Sequence, residues 1–389
     1  MTSTAAVRLT WDQTLAWRVG QQRLAAPDDA ADPVDLVAHL AGVQAQMQSS
    51  AAQVLAVRGA AGVDLDRLLW RDRTLVKTWA MRGTLHLLPA HEWRTWVAVL
   101  RRREWRITPG WVKYHGITEA ELKAVTEAIP EALAGEPLTR DELADRIAAI
   151  TGHAHLGEQL RSGWAAVLKP AANQGLLCQG PPRGTNVTFT DPARWLGGLG
   201  HGGDGGDDRD GRDEPDPDTA MATVLARFLD AYGPATRDDL ARWLGVTPKA
   251  ARLVLEAHGG DLVVVDVEGQ HAWMTPAGAA AAAAAGSPLG VHLLPGFDPY
   301  VLAPISHRAH TIPAGRLDAV SRTAGWISPV LLVDGRVAGT WEADTTSDTT
   351  TVTVTPFAEL STAVIDAART HLEQRYPQVL GPRVRLVVA

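Results

Sequence analysis

The chain is short of almost everything that common enzyme classes use for chemistry. One cysteine, Cys178, in 389 residues excludes an internal disulfide framework or a thiolate zinc site, and it fits a reducing cytosol. The thirteen histidines are scattered. Only His153 and His155 stand close together, in an expected loop without a cysteine partner, so no metal site is expected. No Gly-x-Ser-x-Gly elbow presents a nucleophilic serine. No glycine-rich loop ends in Gly-Lys-Ser/Thr, which argues against an ATPase, and no cofactor is expected. No apolar run approaches the length that crosses a bilayer, and Met1-Thr2-Ser3-Thr4 lacks the basic-then-apolar pattern of a signal peptide. A cytoplasmic protein with no membrane partner is therefore expected.

Net positive charge is missing too: the formal charge is −7, which looks wrong for a nucleic-acid binder. Its distribution reverses that impression. Residues 201–218 hold eight acids against two arginines, so the remainder is nearly neutral. This segment, with linker bounds 199–218, is rich in Gly, Asp and Pro and almost free of apolar residues. It cannot bury enough surface to fold, and it reads as a disordered acidic linker. Residues 71–106, in contrast, carry nine Lys/Arg against three acids. That is either the electrostatic footprint of phosphate contacts or a solvated charged face.

What the chain does have is length for two or three domains and an internal repeat. Leu138-Thr139-Arg140-Asp141-Glu142-Leu143-Ala144 returns as Ala235-Thr236-Arg237-Asp238-Asp239-Leu240-Ala241. Each threonine is placed to cap a helix, with an acid three residues on. The later copy continues into a second helix over 250–257 and two strands, 262–267 and 271–274: helix, turn, helix, hairpin. An earlier copy begins at Asp35 and has its hairpin at 74–80 and 84–88, around Met81-Arg82-Gly83. The middle copy has its second helix at 160–173 and strands at 176–179 and 186–189, around Pro181-Pro182-Arg183-Gly184. Three winged-helix units are the simplest account. One or two such units plus unrelated helical packing is the alternative.

Beyond Gly286 the pattern predicts strands at 291–294, 300–303, 330–333, 336–341, 349–355 and 384–388. Asp334-Gly335 reads as a hairpin turn, and a helix is predicted over 357–376. The alanine run 279–285 reads as a helix or linker. The expected fold is α+β: winged helix 1 at 8–107, winged helix 2 at 117–198, the linker at 199–218, winged helix 3 at 219–277 and a β-rich C-terminal unit at 287–389. The fourteen tryptophans read mostly as packing rather than as stacking platforms for bases.

In the first copy, Gly42-Val43-Gln44-Ala45-Gln46 leads into Gln48, Ser49 and Ser50, where a recognition helix is expected to start. Taken alone, two amides there are either solvent-exposed helix formers or groups that read a base or orient a water. Five motifs then occur in one order. They are Gly42-Val43-Gln44-Ala45-Gln46, Met81-Arg82-Gly83-Thr84-Leu85-His86, Tyr232-Gly233-Pro234-Ala235-Thr236, Leu293-Leu294-Pro295-Gly296-Phe297-Asp298-Pro299-Tyr300 and Val333-Asp334-Gly335-Arg336.

Together the motifs resemble the winged-helix DNA glycosylases of the AlkZ type, which unhook alkylated purines and interstrand crosslinks. The resemblance spans nearly the whole chain apart from the acidic segment. It implies three tandem winged helices in a C-shaped, concave DNA-binding body with a β-rich C-terminal unit. It also implies catalysis by a glutamine, aliphatic residue, glutamine motif, or by glutamine and aspartate in a sister branch. Gln44 and Gln46 place this chain in the double-glutamine branch, although Ala45 is smaller than the usual middle residue. The implied activity is monofunctional, without a lyase step, on duplex DNA carrying alkylated or crosslinked purines. Self-resistance to a genotoxic natural product is one implied setting. The competing class is a non-enzymatic winged-helix transcriptional regulator. Tandem units in one chain and the lack of a coiled-coil heptad favour a monomer.

Chemistry supports amides for such a task. A purine alkylated at N7 carries positive charge and leaves readily, through an oxocarbenium-like sugar. An amide carbonyl accepts from a water, and an amide NH2 donates to a sugar or phosphate oxygen. Gln46 is assigned the water, while Gln44 orients the sugar or shares that task. DNA contacts are assigned to Gln48, Ser49, Lys77, Arg82, His86, Arg101 and Arg102. His86, between Leu85 and Leu87, is equally well read as internally satisfied, and Asp298 is either a turn former or a second carboxylate near the site.

Overall fold

The chain enters as strand β1 (Val7–Leu9) and helix α1 (Trp11–Gln21), elements that precede the first one the repeat pattern predicts. Thr10 starts α1 with a capping box: its hydroxyl accepts from Gln13 N, and the Gln13 side chain accepts from Thr10 N. Then come α2 (Pro33–His39), the two-residue strand β2 (Val43–Gln44) and α3 (Gln48–Ala56). The hairpin β3 (Leu75–Trp79) and β4 (Leu85–Pro89) turns through Met81–Gly83, where the sequence places it. Helices α4 (Trp93–Leu100), α5 (Pro109–His115) and α6 (Glu119–Ala132) follow. Next are β5 (Leu138–Thr139), α7 (Arg140–Thr151), α8 (Ala154–Asn173), β6 (Cys178–Arg183), β7 (Asn186–Thr190) and the turn of helix α9 (Pro192–Trp195).

After α10 (Pro217–Tyr232) the helix, helix, hairpin order recurs as α11 (Arg237–Leu244), α12 (Pro248–Ala257), β8 (Val263–Val267) and β9 (Gln270–Met274), followed by α13 (Pro276–Ala284). The last third is β10 (Val291–Leu294), the short helices α14 (Pro299–Leu302), α15 (Arg308–Thr311) and α16 (Leu317–Val320), then β11 (Val330–Val333), β12 (Arg336–Thr346) and β13 (Thr349–Pro356). It closes with α17 (Thr362–Arg375), α18 (Pro377–Leu380) and β14 (Arg383–Val388). This computed structural model describes residues 7–60, 62–103, 107–197 and 215–389.

Contacts divide this mixed α+β chain into a first unit, Met1–Leu65 with Leu225–Ala389, and a second, Asp66–Val224. The division falls inside the 8–107 span, leaving α1 to α3 in the first unit and the β3–β4 hairpin in the second. In the first unit, β1 adds in parallel to β8 of the β8–β9 hairpin, and a five-stranded sheet runs β10-β11-β12-β13-β14. That sheet carries a core of Leu293, Leu331, Leu332, Val352 and Val354, covered by Ala368 and Leu372 of α17. The second unit packs Val125, Ile129, Leu143, Ile147, Leu160 and Phe189 into one core. Trp11, Trp17, Trp79, Trp96, Trp243 and Trp341 are buried, whereas Trp326 is exposed.

Both predicted capping boxes form, Thr139 with Glu142 and Thr236 with Asp239. Asp334 (φ 47°) and Gly335 (φ 73°) both adopt positive φ between β11 and β12, the conformation a two-residue hairpin turn demands.

Four expectations are corrected. The strand expected at 300–303 is absent, because residues 299–302 are helical: Asp298 caps α14 by accepting from Tyr300 N, and Pro299 takes the first helical position. Periodicity alone does not separate a strand from a turn of helix in so short an apolar run. The helix predicted from Phe357 begins at Thr362, because Ser361 is the residue able to cap it. Helix α8 starts at Ala154 and not Leu160. Gly157 interrupts the helical pattern in sequence, yet a methyl group there would lie 3.1 Å from Ala144 O, so glycine is what lets α7 and α8 approach. Strand β6 continues through Pro181 and Pro182 to Arg183, because the prolines occupy a register shift between Gly180 and Arg183 where no ladder donor is needed. Of the acidic linker, residues 199–214 lie outside the described residues, whereas Pro217 and Asp218 form the first turn of α10.

Candidate active site

The Gln44 segment is shaped by the way α2 ends. Ala41 N bonds to Ala38 O at 3.0 Å and Gly42 N to Val37 O at 2.9 Å, a paired C-terminal cap that satisfies the last carbonyls of the helix. Ala41 (φ 53°) and Gly42 (φ 91°) both turn left-handed there, and Gly42 is the residue that makes the second value cheap. Tyr232 ties the same end down by donating its hydroxyl to Leu40 O at 2.9 Å, so the Tyr232-Gly233-Pro234 motif supports the glutamine motif directly.

The reversal delivers Val43 and Gln44 as β2, with Gln44 only 7% exposed and Ala45 fully buried. Gln46 is exposed. Neither glutamine is a helix residue, which corrects the placement at the head of the recognition helix: Gln44 ends a strand, and Gln46 stands two residues before α3. Their surroundings therefore differ, one amide held in protein and the other facing solvent. Gln48 and Ser49 open the first turn of α3, half-buried and exposed respectively.

Helix α3 is held at both ends by the segment Gly296-Phe297-Asp298. At its start, a methyl group on Gly296 would lie 3.8 Å from Ser50 Oγ, so the loop lies beside the first turn. Just beyond its end, Arg58 donates through Nη1 and Nη2 to the two carboxylate oxygens of Asp298, each at 2.8 Å, and both side chains are completely buried. The guanidinium also donates to Gln22 O (2.9 Å), Val54 O (3.0 Å) and Gln22 Oε1 (3.2 Å). Asp298 is thus the turn-forming cap before a proline and, in addition, the counter-charge of Arg58. The ion pair escapes sequence reading because its partners lie 240 residues apart.

The remaining candidate residues lie in the second unit. Lys77 is in the middle of β3, only 8% exposed, and burial lowers its ammonium pKa. In this conformation it lies largely beneath the surface on which a phosphate would approach. Arg82, half-buried, adopts φ 56° at the hairpin tip. His86 is buried, and its pKa falls to about 3 through desolvation first and the charge of Arg82 second. Its Nδ1–H donates to Thr84 O at 2.9 Å, which leaves Nε2 to accept from Arg82 Nη2 at 3.4 Å. The internally satisfied reading of His86 is the one its geometry matches. Arg101 and Arg102 are exposed. Arg101 donates to Gln174 O at 3.1 Å, and Arg102 pairs with Asp218 at 2.7 Å. Arg73 stacks on Trp195 with 4.0 Å to the ring centroid, so part of the basic run is committed to packing.

His371 and His292 in the first unit resemble His86 in being neutral when folded, with pKa values lowered by burial to about 3 and about 4. An unfolded histidine takes up its proton near pH 6.5. Stability from these three is therefore complete above about pH 6.5 and is lost as pH falls below it, at up to about 1.4 kcal/mol per pH unit for each group. Urea unfolding is expected to show a lower midpoint at about pH 5 than at about pH 7.5. An unchanged midpoint would contradict the buried neutral assignments.

Among the described residues, no group of three or more His, Cys, Asp or Glu is placed to hold a metal ion. His155 Nε2 meets Glu121 at 2.8 Å on the surface, and Cys178 is buried, its thiol pKa pushed up by desolvation. No helix among the described residues is long and apolar enough to cross a membrane.

The architecture has close relatives. The interstrand DNA cross-link repair glycosylase of Streptomyces sahachiroi is 39% identical over 342 residues, covering 86% of this chain and 88% of that protein. The solved structure of Streptomyces sahachiroi DNA glycosylase AlkZ superposes with a TM-score of 0.82 at 35% identity, over 98% of this chain and 100% of that one. The AlkZ-like DNA glycosylase profile matches residues 37–379, which include both glutamines and the Gly296-Phe297-Asp298 segment. The chain belongs to the AlkZ-like DNA glycosylase family.

Proposed function

We propose that this glycosylase hydrolyses the N-glycosidic bond of N7-alkylated purines in duplex DNA, with Gln46 positioning the attacking water and Gln44 orienting the sugar or sharing that task. The observation that carries the reading is the contrast between the two amides: Gln44 is 7% exposed on β2, and Gln46 is exposed at the approach to α3. A solvent-facing carbonyl can accept from a water, and a confined amide can hold a sugar or phosphate oxygen in one orientation.

The water oxygen bonds to C1′ as the C1′–N9 bond breaks. The departing electron pair neutralises the positive charge on the alkylated purine, and the water proton passes to solvent. No strong base is needed, because the lesion supplies the leaving group. Unmodified adenine and guanine are correspondingly poor substrates.

The helix, helix, hairpin successions are consistent with three winged-helix units, at 8–107, 117–198 and 219–277, holding DNA as a monomer in the cytosol. The Streptomyces sahachiroi relative, an interstrand DNA cross-link repair glycosylase, supports interstrand crosslinks as the bulkier substrate class. Incubating the protein with duplex containing N7-methylguanine and then treating with hot alkali should give strand breaks at the lesion. Unmodified duplex should give none. Saturable binding without breaks, on monoadducts and on crosslinked duplex alike, would indicate a DNA-binding protein without base release.

A further inference from the structure

Two cations from other elements, Arg103 and Lys169, meet at the tip of the β3–β4 hairpin. A methyl group added at Gly83 would lie 3.8 Å from Arg103 Nη2 and 3.8 Å from Lys169 Nζ, so the two charged ends are at most about 8 Å apart. Each is held by a different element. Arg103 follows α4 and donates Nη1 to Ala80 O at 2.8 Å, which leaves Nη2 turned toward the tip. Lys169 reaches the same point from α8. Both are half-buried, and among the described residues no acid forms an ion pair with either. Burial lowers the pKa of both groups, and Arg103 lowers that of Lys169 further. Arg82 stands at the same turn, its Nη2 directed at the bare Nε2 of His86.

Like charges that are partly desolvated and mutually repelling cost free energy unless an anion joins them. Gly83, without a side chain, leaves the space between them open. We propose that Arg103, Lys169 and the Arg82–Gly83 turn form a clamp for one phosphodiester of the DNA backbone. This rests on the reading of the protein as a glycosylase acting on duplex DNA. It assigns Arg103, which the sequence reads within the run Arg101-Arg102-Arg103 as phosphate-facing or solvated, and Lys169, which the sequence did not single out, to the phosphate that fixes the hairpin's register on the duplex.

The full chain, undamaged duplex and a salt series provide the test. Lys169→Gln should weaken binding to all sequences alike and flatten the slope of log K against log [salt] by roughly 0.9, the value for one phosphate contact. Lys169→Arg should restore it. A wild-type slope in a folded Lys169→Gln protein overturns the proposal.

A second measurement follows the lysines directly. The chain has five, Lys77, Lys113, Lys123, Lys169 and Lys249, so 13C-dimethylation gives a countable set of signals. The Lys169 signal should move with duplex and not with inorganic phosphate at equal ionic strength. Movement with phosphate alone, or none with either, contradicts a backbone clamp. Neither experiment involves base release, so failure of the clamp and failure of the hydrolytic reading are separate results.

Discussion

Asp298→Ala is expected to lower the unfolding free energy of the first unit by about 3–5 kcal/mol, the cost of leaving one partner of a buried pair charged and alone. Arg58 and Asp298 are both 0% exposed and share two 2.8 Å bonds. Removing the carboxylate leaves the guanidinium with Gln22 O, Val54 O and Gln22 Oε1, which satisfy donors but do not neutralise charge. The cap that Asp298 gives Tyr300 N is lost as well. The joint variant Arg58→Met with Asp298→Asn removes both charges and keeps a residue able to cap α14, so it should recover part of the loss. Urea unfolding of the single and joint variants checks this. A single variant within about 1 kcal/mol of wild type would show that the pair is not the restraint that holds α3.

Gln46→Ala should leave the fold intact, because the side chain is exposed, and should slow single-turnover release of N7-methylguanine by about 100-fold to 1,000-fold. Losing one polar group that positions the reacting atoms has effects of that size. Gln44→Ala differs in kind. Gln44 is almost fully buried beside the fully buried Ala45, so truncation disturbs both the site and the packing behind it, and a fall in thermal stability should accompany the fall in rate. That split follows from the strand-then-helix placement of the two amides, and two glutamines on one exposed helical turn would not produce it.

The parts of the fold legible in sequence are those governed by local rules. Thr139 with Glu142 and Thr236 with Asp239 cap helices because three-residue spacing suffices. Asp334-Gly335 turns a hairpin because few other pairs adopt its backbone angles. The features that escaped depend on distant partners. Strand β1 exists by pairing with β8, some 250 residues later. The early start of α8 depends on Gly157 meeting Ala144 O across α7. At the site, the order of motifs identified the glutamines and the hairpin. Arg58 and Lys169 carry no local signal, since each acquires meaning only from what the fold sets against it. Lys77 errs in the opposite direction: counted in sequence as part of a basic run, it lies inside β3.

The most direct test of the central claim is single-turnover release of N7-methylguanine from duplex DNA by wild type, Gln46→Ala and Gln46→Glu at matched thermal stability. The account predicts release by wild type and near-complete loss in Gln46→Ala. It also predicts partial activity in Gln46→Glu, whose carboxylate can still accept from the water. Equal release rates from wild type and Gln46→Ala would contradict it.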